Sequence, residues 1–487
     1  MKRPLHLLSK TVMLAGALTA STALIAQNLV IDRVTIVDVR TGRLIVNRSI
    51  AIADGKIARI APTGTVKGGG PHIDGKGAFV VPGYNDMHAH NLNTDSPETS
   101  LPVMLSSGIT GFRQMAGAPP LLAARAKGAL GLPADSPALL AMPGTIIAGP
   151  GFADPAAVTA EIGRQKAQGA DFIKVVDLPR ATFLIAADAA RAAGLPFAGH
   201  LPPSVDTRDA LAHGMASIEH LGPGISLLVN CSRDEAAIRA ILARIDGAPQ
   251  GIDFSLPPAQ LRRLLANPML LAPPPAFLLM RRVLATYDDA KCRAFAADVA
   301  KSGTWMVPTL TRLEAMNLGN APELRDSASL ALVPADVRRL WRDVGNDFDT
   351  KLTADQRQTL VDLFAAQLRL ANLFDASGVK MVAGTDFGGQ WIAPNALHRE
   401  FDLLARAGVP PLHILQMATL GPARFLKREL SMGTVEPGRN ADLVLLSADP
   451  TIHAEALHAV TGVVRGGRYL NRAELDAIQN KASASLR

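Results

Sequence analysis

Phe79-Val80-Val81-Pro82-Gly83-Tyr84-Asn85-Asp86-Met87-His88-Ala89-His90 is an apolar run that ends abruptly in two imidazoles. On a β-strand, residues i and i+2 point to the same side, so a His-x-His pair at a strand end can present both rings to one cation. Neutral imidazole is the commonest metal ligand among side chains. The bare pair also suits two polar residues at a strand-to-loop exit, so its meaning depends on what the rest of the chain supplies.

Downstream of this stretch the sequence alternates strand-like and helix-like segments. Strand candidates are 79–82, 109–115, 138–147, 171–176, 196–199, 217–219, 305–310 and 380–384, with helical patterns such as 155–168 and 180–193 between them. Eight β/α units are what a closed barrel requires, and 487 residues are enough for one plus an accessory domain. The expected fold is therefore α/β, a (β/α)8 TIM-like barrel over 78–430. Two stretches exceed ordinary loop length, 221–302 and 312–378, and both read as helical insertions of the kind that cover a barrel's C-terminal face. Segments 27–77 and 431–487 instead read as short alternating strands with turns, such as Asp54-Gly55-Lys56. Two β-rich ends around an α/β middle suggest one composite β-sandwich built from both termini.

Residues 1–26 read as a secretory signal peptide. Lys2, Arg3 and Lys10 precede an apolar segment shorter than a transmembrane helix, and small residues follow, with cleavage expected after Ala23 or Ala26. The mature protein is thus expected to be secreted or periplasmic, with no stable membrane anchor. Net charge is +7, but the basic residues are scattered and aromatic residues make up only 4%, which argues against nucleic-acid binding. Cys231 and Cys292 would sit in an oxidising compartment; a disulfide and two buried free thiols are both open readings.

If the middle is a barrel, polar residues at strand C-termini should converge. Strand one ends in His88 and His90, strand four carries Lys174, strand five ends at His200, strand six at His220 and strand eight at Asp386. Four imidazoles, a lysine and a carboxylate form a set suited to two divalent metals about 3.5 to 4 Å apart. Lys174 needs explanation, because an ammonium in an apolar strand is costly and repels cations. Burial lowers a lysine's pKa, and a neutral amine can add carbon dioxide to become a carbamate with one oxygen for each metal. A snorkelling lysine, or one paired with Asp171 or Asp177, is the alternative.

These segments resemble the metal-dependent amidohydrolase superfamily, and within it the imidazolonepropionase-like and Xaa-Pro or Xaa-Arg dipeptidase branch. The resemblance rests on the opening stretch through His90, on 169–174, Gly199-His200, 217–220 and Gly384-Thr385-Asp386, and on Leu397-His398-Arg399-Glu400, 418–423 and 433–444. It implies that His88, His90 and Asp386 hold one metal, His200 and His220 the other, and that carboxylated Lys174 and a hydroxide bridge them, with zinc the expected metal. It also implies that the hydroxide is the nucleophile and that Asp386 is the catalytic proton carrier. The implied activity is hydrolysis of an amide or peptide-like C–N bond in a small-molecule, dipeptide or N-acyl amino acid substrate, by a chain that relatives suggest assembles as a homo-oligomer. Lactonase, phosphotriesterase and deaminase chemistry use similar sites on this fold, and a mononuclear enzyme or a non-catalytic barrel are further alternatives.

Two segments depart from the family pattern. Gly111-Phe112-Arg113-Gln114 places an amide where relatives often have a carboxylate, and Val175-Val176-Asp177-Leu178-Pro179 replaces a glycine-rich turn. Arg113 reads as half of an ion pair or as a substrate-carboxylate ligand. Glu219 reads as structural, on the strand face opposite His220. His213 reads as a packing residue, and His398 and Glu400 as supporting residues rather than direct participants. His6, His72, His413, His453 and His458 are expected outside the site.

Overall fold

The structure is a computed structural model and describes residues 28–67, 70–94, 96–246 and 256–486. The expected signal peptide lies outside the described residues. The chain ends meet in one eight-stranded sheet. Its strands are β1 (Leu29–Val37), β2 (Leu44–Ala53), β3 (Lys56–Pro62), β4 (His72–Asp74) and β5 (Phe79–Pro82) from the first part of the chain, and three from the last part.

The middle of the chain is parallel. Strands β6 (Tyr84–Ala89), β7 (Ile109–Gln114) and β8 (Ala138–Ala141) form one sheet; β9 (Ile147–Ala148), β10 (Ile173–Val176), β11 (Phe197–Gly199), β12 (Ser217–Glu219) and β13 (Trp305–Val307) form another. Backbone hydrogen bonds join these sheets at both edges. The Asp171 amide donates to Met142 O at 3.0 Å. On the other side the segment after Val379 bonds to both neighbours, with Val382 N to Met306 O at 3.0 Å and Met87 N to Ala383 O at 2.9 Å. The result is a TIM-barrel-like α/β fold whose eighth position is bridged rather than regular strand, through pairs such as Met306 with Met381.

Strands β14 (Leu443–Leu446), β15 (Val460–Arg465) and β16 (Arg468–Asn471) complete the outer sheet, in the order β16-β15-β14-β5-β1-β2-β3 with β4 beside β1. One expectation is corrected here. Residues 79–82 do not open the barrel: β5 pairs with β14 antiparallel and β1 parallel, and the first barrel strand is β6. Gly83 alone separates the two, so one apolar run serves two sheets. Each sheet has its own core, one around Ile31, Ile50 and Leu443, the other around Phe112, Ile173 and Phe401.

Helices surround the parallel strands with apolar faces at helical spacing. Helix Arg180–Ala192 buries Phe183, Ala186, Ala187 and Ala190. Both long insertions are helical. The first contains helices Glu235–Arg244, Pro258–Ala266, Pro274–Ala285 and Asp289–Ser302; the second contains Ala335–Lys351 and Ala354–Ala376, whose N-terminus carries a reciprocal Thr353–Gln356 capping box. Cys231 and Cys292 form a disulfide across the base of the first insertion.

Candidate metal centre

His88 lies on β6 and His90 just beyond it, while Asp386 follows the bridged eighth segment. Their ligand atoms lie within 4.8 Å of one another. Asp386 Oδ1 is 3.2 Å from His88 Nε2 and 3.1 Å from His90 Nε2. His220 follows β12, and its ring centroid is 4.5 Å from that of His88 and 4.9 Å from that of His200. Lys174, in β10, is 1% exposed, and its Nζ has no hydrogen-bond partner.

The local backbone makes this convergence possible. His220, Thr309 and Asp386 all have positive φ, 58°, 44° and 59°, a conformation that costs non-glycine residues energy and concentrates at functional sites. Each stands at the C-terminal exit of a barrel strand, where the left-handed turn redirects the chain. Gly199 meets a different need. With φ of 141° it packs against the Val175 carbonyl, which a Cβ would overlap, so only glycine lets β11 approach β10 beside Lys174 and His200.

The supporting hydrogen bonds decide which imidazole nitrogens face inward. His88 Nδ1 lies 2.7 Å from Glu219 Oε2. An ionised carboxylate only accepts, so Nδ1 carries a proton, and when the ring holds that proton alone Nε2 presents a lone pair. Burial raises the cost of charging Glu219, but Arg113 and His88 outweigh it and hold the carboxyl well below the usual range. For His220, Nδ1 lies 2.6 Å from Thr309 Oγ1, which donates its own proton to Pro308 O at 2.8 Å. Thr309 must therefore accept from Nδ1–H, and His220 Nε2 is likewise left bare. Burial holds His90 below the usual histidine range, and His200 and His220 well below it.

This donor set fits divalent cations. His88 Nε2 is buried without a hydrogen bond although a carboxylate oxygen lies 3.2 Å away. Two lone pairs facing each other at that distance repel unless a proton or a metal cation lies between them. Imidazole nitrogens backed by carboxylate or hydroxyl partners are the usual construction around a metal. Burial pushes the Lys174 ammonium down to about 8, so its neutral form is accessible near neutral pH.

Glu219 is a correction. It does not serve only the opposite face of its strand, because its carboxylate bridges His88 and the buried Arg113, whose Nη2 donates to Oε1 at 2.9 Å. Arg113 is thus an ion-pair partner. Asp86 binds the neighbouring backbone, accepting from His88 N at 3.0 Å and Thr385 N at 3.1 Å; burial pushes it up to about 6. Glu400 accepts from Thr311 N at 2.9 Å, and burial pushes it up to about 8. His398 stacks on His458, His213 meets Asp188, and His413 meets Asp375, all as supporting contacts. Thr309 and Arg312 carried no motif in the sequence. Arg312 Nε lies 3.1 Å from Asp386 Oδ2.

Comparison with known proteins agrees with this geometry. Residues 285–470 match the family described as Amidohydrolase family. No curated protein matches the chain in sequence. Among solved structures, a bottromycin amidohydrolase is 24% identical, with 94% of this chain and 90% of that chain covered at a TM-score of 0.68. A putative prolidase from Bifidobacterium longum is 20% identical, covering 94% and 99% at 0.59. A Xaa-Pro dipeptidase with bound methionine in its active site is 18% identical, covering 91% and 100% at 0.59. These structural likenesses establish the fold, and the family match covers residues 285–470: that part of the chain is similar to the amidohydrolase family.

Proposed function

We propose that the protein is an exported, binuclear metal-dependent hydrolase that cleaves an amide or peptide-like C–N bond in a dipeptide or N-acyl amino acid. The observation that carries this reading is the meeting of His88, His90 and Asp386 within 4.8 Å, with a bare imidazole nitrogen facing a carboxylate. His88, His90 and Asp386 would hold one ion and His200 and His220 the other; imidazole with carboxylate suits zinc. Lys174 would bridge them as a carbamate: its neutral amine forms an N–C bond to carbon dioxide and loses one proton. The unpartnered, buried Nζ supports this, as does the absence of a paired carboxylate among its hydrogen bonds.

When bound, the ions polarise a scissile carbonyl and lower the pKa of a water. Asp386 takes a proton from the attacking water and passes it to the departing amine nitrogen. Glu219 and Thr309 hold His88 and His220 in the tautomers that keep Nε2 free. The amide preference is supported by the neighbours named as prolidase and Xaa-Pro dipeptidase. Export is supported by the basic and apolar leader and by the Cys231–Cys292 disulfide, a bond that persists in oxidising compartments.

Hydrolysis of a panel of dipeptides, N-acyl amino acids, lactones and phosphotriesters by the zinc-loaded protein tests the reading. Turnover of at least one amide class is expected. Activity confined to lactones or triesters would overturn it.

A further inference from the structure

Arg312 stands on the first turn of helix Leu310–Leu318 and is 6% exposed. Its guanidinium is met on three sides. Nε faces Asp386 Oδ2 at 3.1 Å, Nη1 donates to Ala266 O at 2.8 Å and Nη2 to Leu265 O at 2.6 Å. Leu265 and Ala266 end helix Pro258–Ala266 of the first insertion, where carbonyls lack intrahelical partners and carry partial negative charge. The chain after Asp386 is trimmed to admit the group, since a Cβ on Gly389 would overlap Arg312 Nη1. The insertion is latched beside it: Asn267 Nδ2 donates to Met316 O at 3.2 Å and to Gln390 Oε1 at 3.3 Å.

The Asp386 carboxylate is thereby divided. Oδ1 faces His88 and His90, and Oδ2 faces Arg312. We infer that Arg312 is a positioning residue that fixes the rotation of the Asp386 carboxylate and ties it to the insertion segment ending at Ala266. This rests on the metal reading given above. An exposed ion pair would leave the carboxylate free to turn. A buried fork anchored on two carbonyls removes that freedom, so displacement of helix Pro258–Ala266 is transmitted to the ligand oxygen. Lysine cannot replace the fork, because one ammonium on a flexible stem does not reproduce its planar, fixed geometry.

Zinc competition against a chromophoric chelator, and the visible spectrum of the cobalt-substituted protein, test the inference. Arg312→Met is expected to bind zinc roughly 10- to 100-fold more weakly, the range found when a partner behind a metal ligand is lost, and to shift the cobalt bands. Arg312→Lys is expected to recover part of both. Gly389→Ala keeps the guanidinium but displaces it, and should weaken zinc binding several-fold even if Arg312→Met fails to fold. Wild-type zinc affinity and cobalt spectrum in Arg312→Lys and Gly389→Ala, with both lost in Asp386→Ala, would overturn the positioning role alone. If Asp386→Ala also leaves both unchanged, the metal reading falls and this role with it.

Discussion

Glu219 is held by two buried groups at once, the Nδ1–H of His88 and the guanidinium of Arg113. Glu219→Gln keeps the shape and removes the charge, leaving Arg113 buried without a counter-ion. Breaking a buried pair in this way costs about 3–5 kcal/mol, and losing the carboxylate behind a ligand histidine weakens metal binding by roughly 10- to 100-fold. Urea unfolding and zinc competition should show both losses; unchanged zinc affinity would separate Glu219 from the site. The sequence misleads at this residue for a local reason. Strand alternation sends 219 and 220 to opposite faces, but β12 is three residues long and His220 turns left-handed immediately after it, so both side chains reach the centre. The strand-end histidines were legible because a polar residue closing an apolar run is a local pattern. Arg312 was not, since its partner lies 74 positions away.

Glu400 titrates against the protein rather than with it. Burial raises its carboxyl to about 8, so between the unfolded value near 4.5 and about 8 the folded state binds the extra proton. Its contribution to stability is therefore present at low pH and lost as pH rises through that window. Compared with Glu400→Gln, the wild type should lose up to about 1.4 kcal/mol per pH unit between pH 5 and pH 8. Parallel stability profiles for the two proteins, measured by urea unfolding, would contradict the assignment.

At the scale of elements, the first insertion is closed by the disulfide between Cys231, at the end of the short helix Leu228–Cys231, and Cys292 in helix Asp289–Ser302. The bond closes a loop with a sequence separation of 61. Replacing both cysteines with serine should cost about 2–4 kcal/mol, mostly through the greater freedom of the unfolded chain. Thermal unfolding with and without reductant checks this: the wild type should fall to the variant's midpoint on reduction, and an unmoved midpoint would count against a structural role for the bond. That the two cysteines meet was not legible in the sequence, because pairing is a property of the packed insertion. The first strand was misplaced for a related reason. Residues 79–82 have the composition of a barrel strand, and only their pairing with β1 and β14 shows that they belong to the outer sheet.

At the scale of the whole molecule, the order of strands around the parallel core brings five strand exits to one place. That follows from β/α alternation, which made the architecture and the set His88, His90, Lys174, His200, His220 and Asp386 legible together. Local pattern could not show how the eighth segment is held, by isolated bridges and backbone hydrogen bonds to both neighbours. Nor could it show that both chain ends share a single eight-stranded sheet. The central claim is that this convergence holds two ions with Lys174 between them. Metal content per chain, measured together with turnover for the zinc-loaded wild type and Lys174→Ala, tests it most directly. Two ions in the wild type, with fewer ions and lost activity in the variant, are predicted; one ion per chain with full activity in Lys174→Ala would contradict the account.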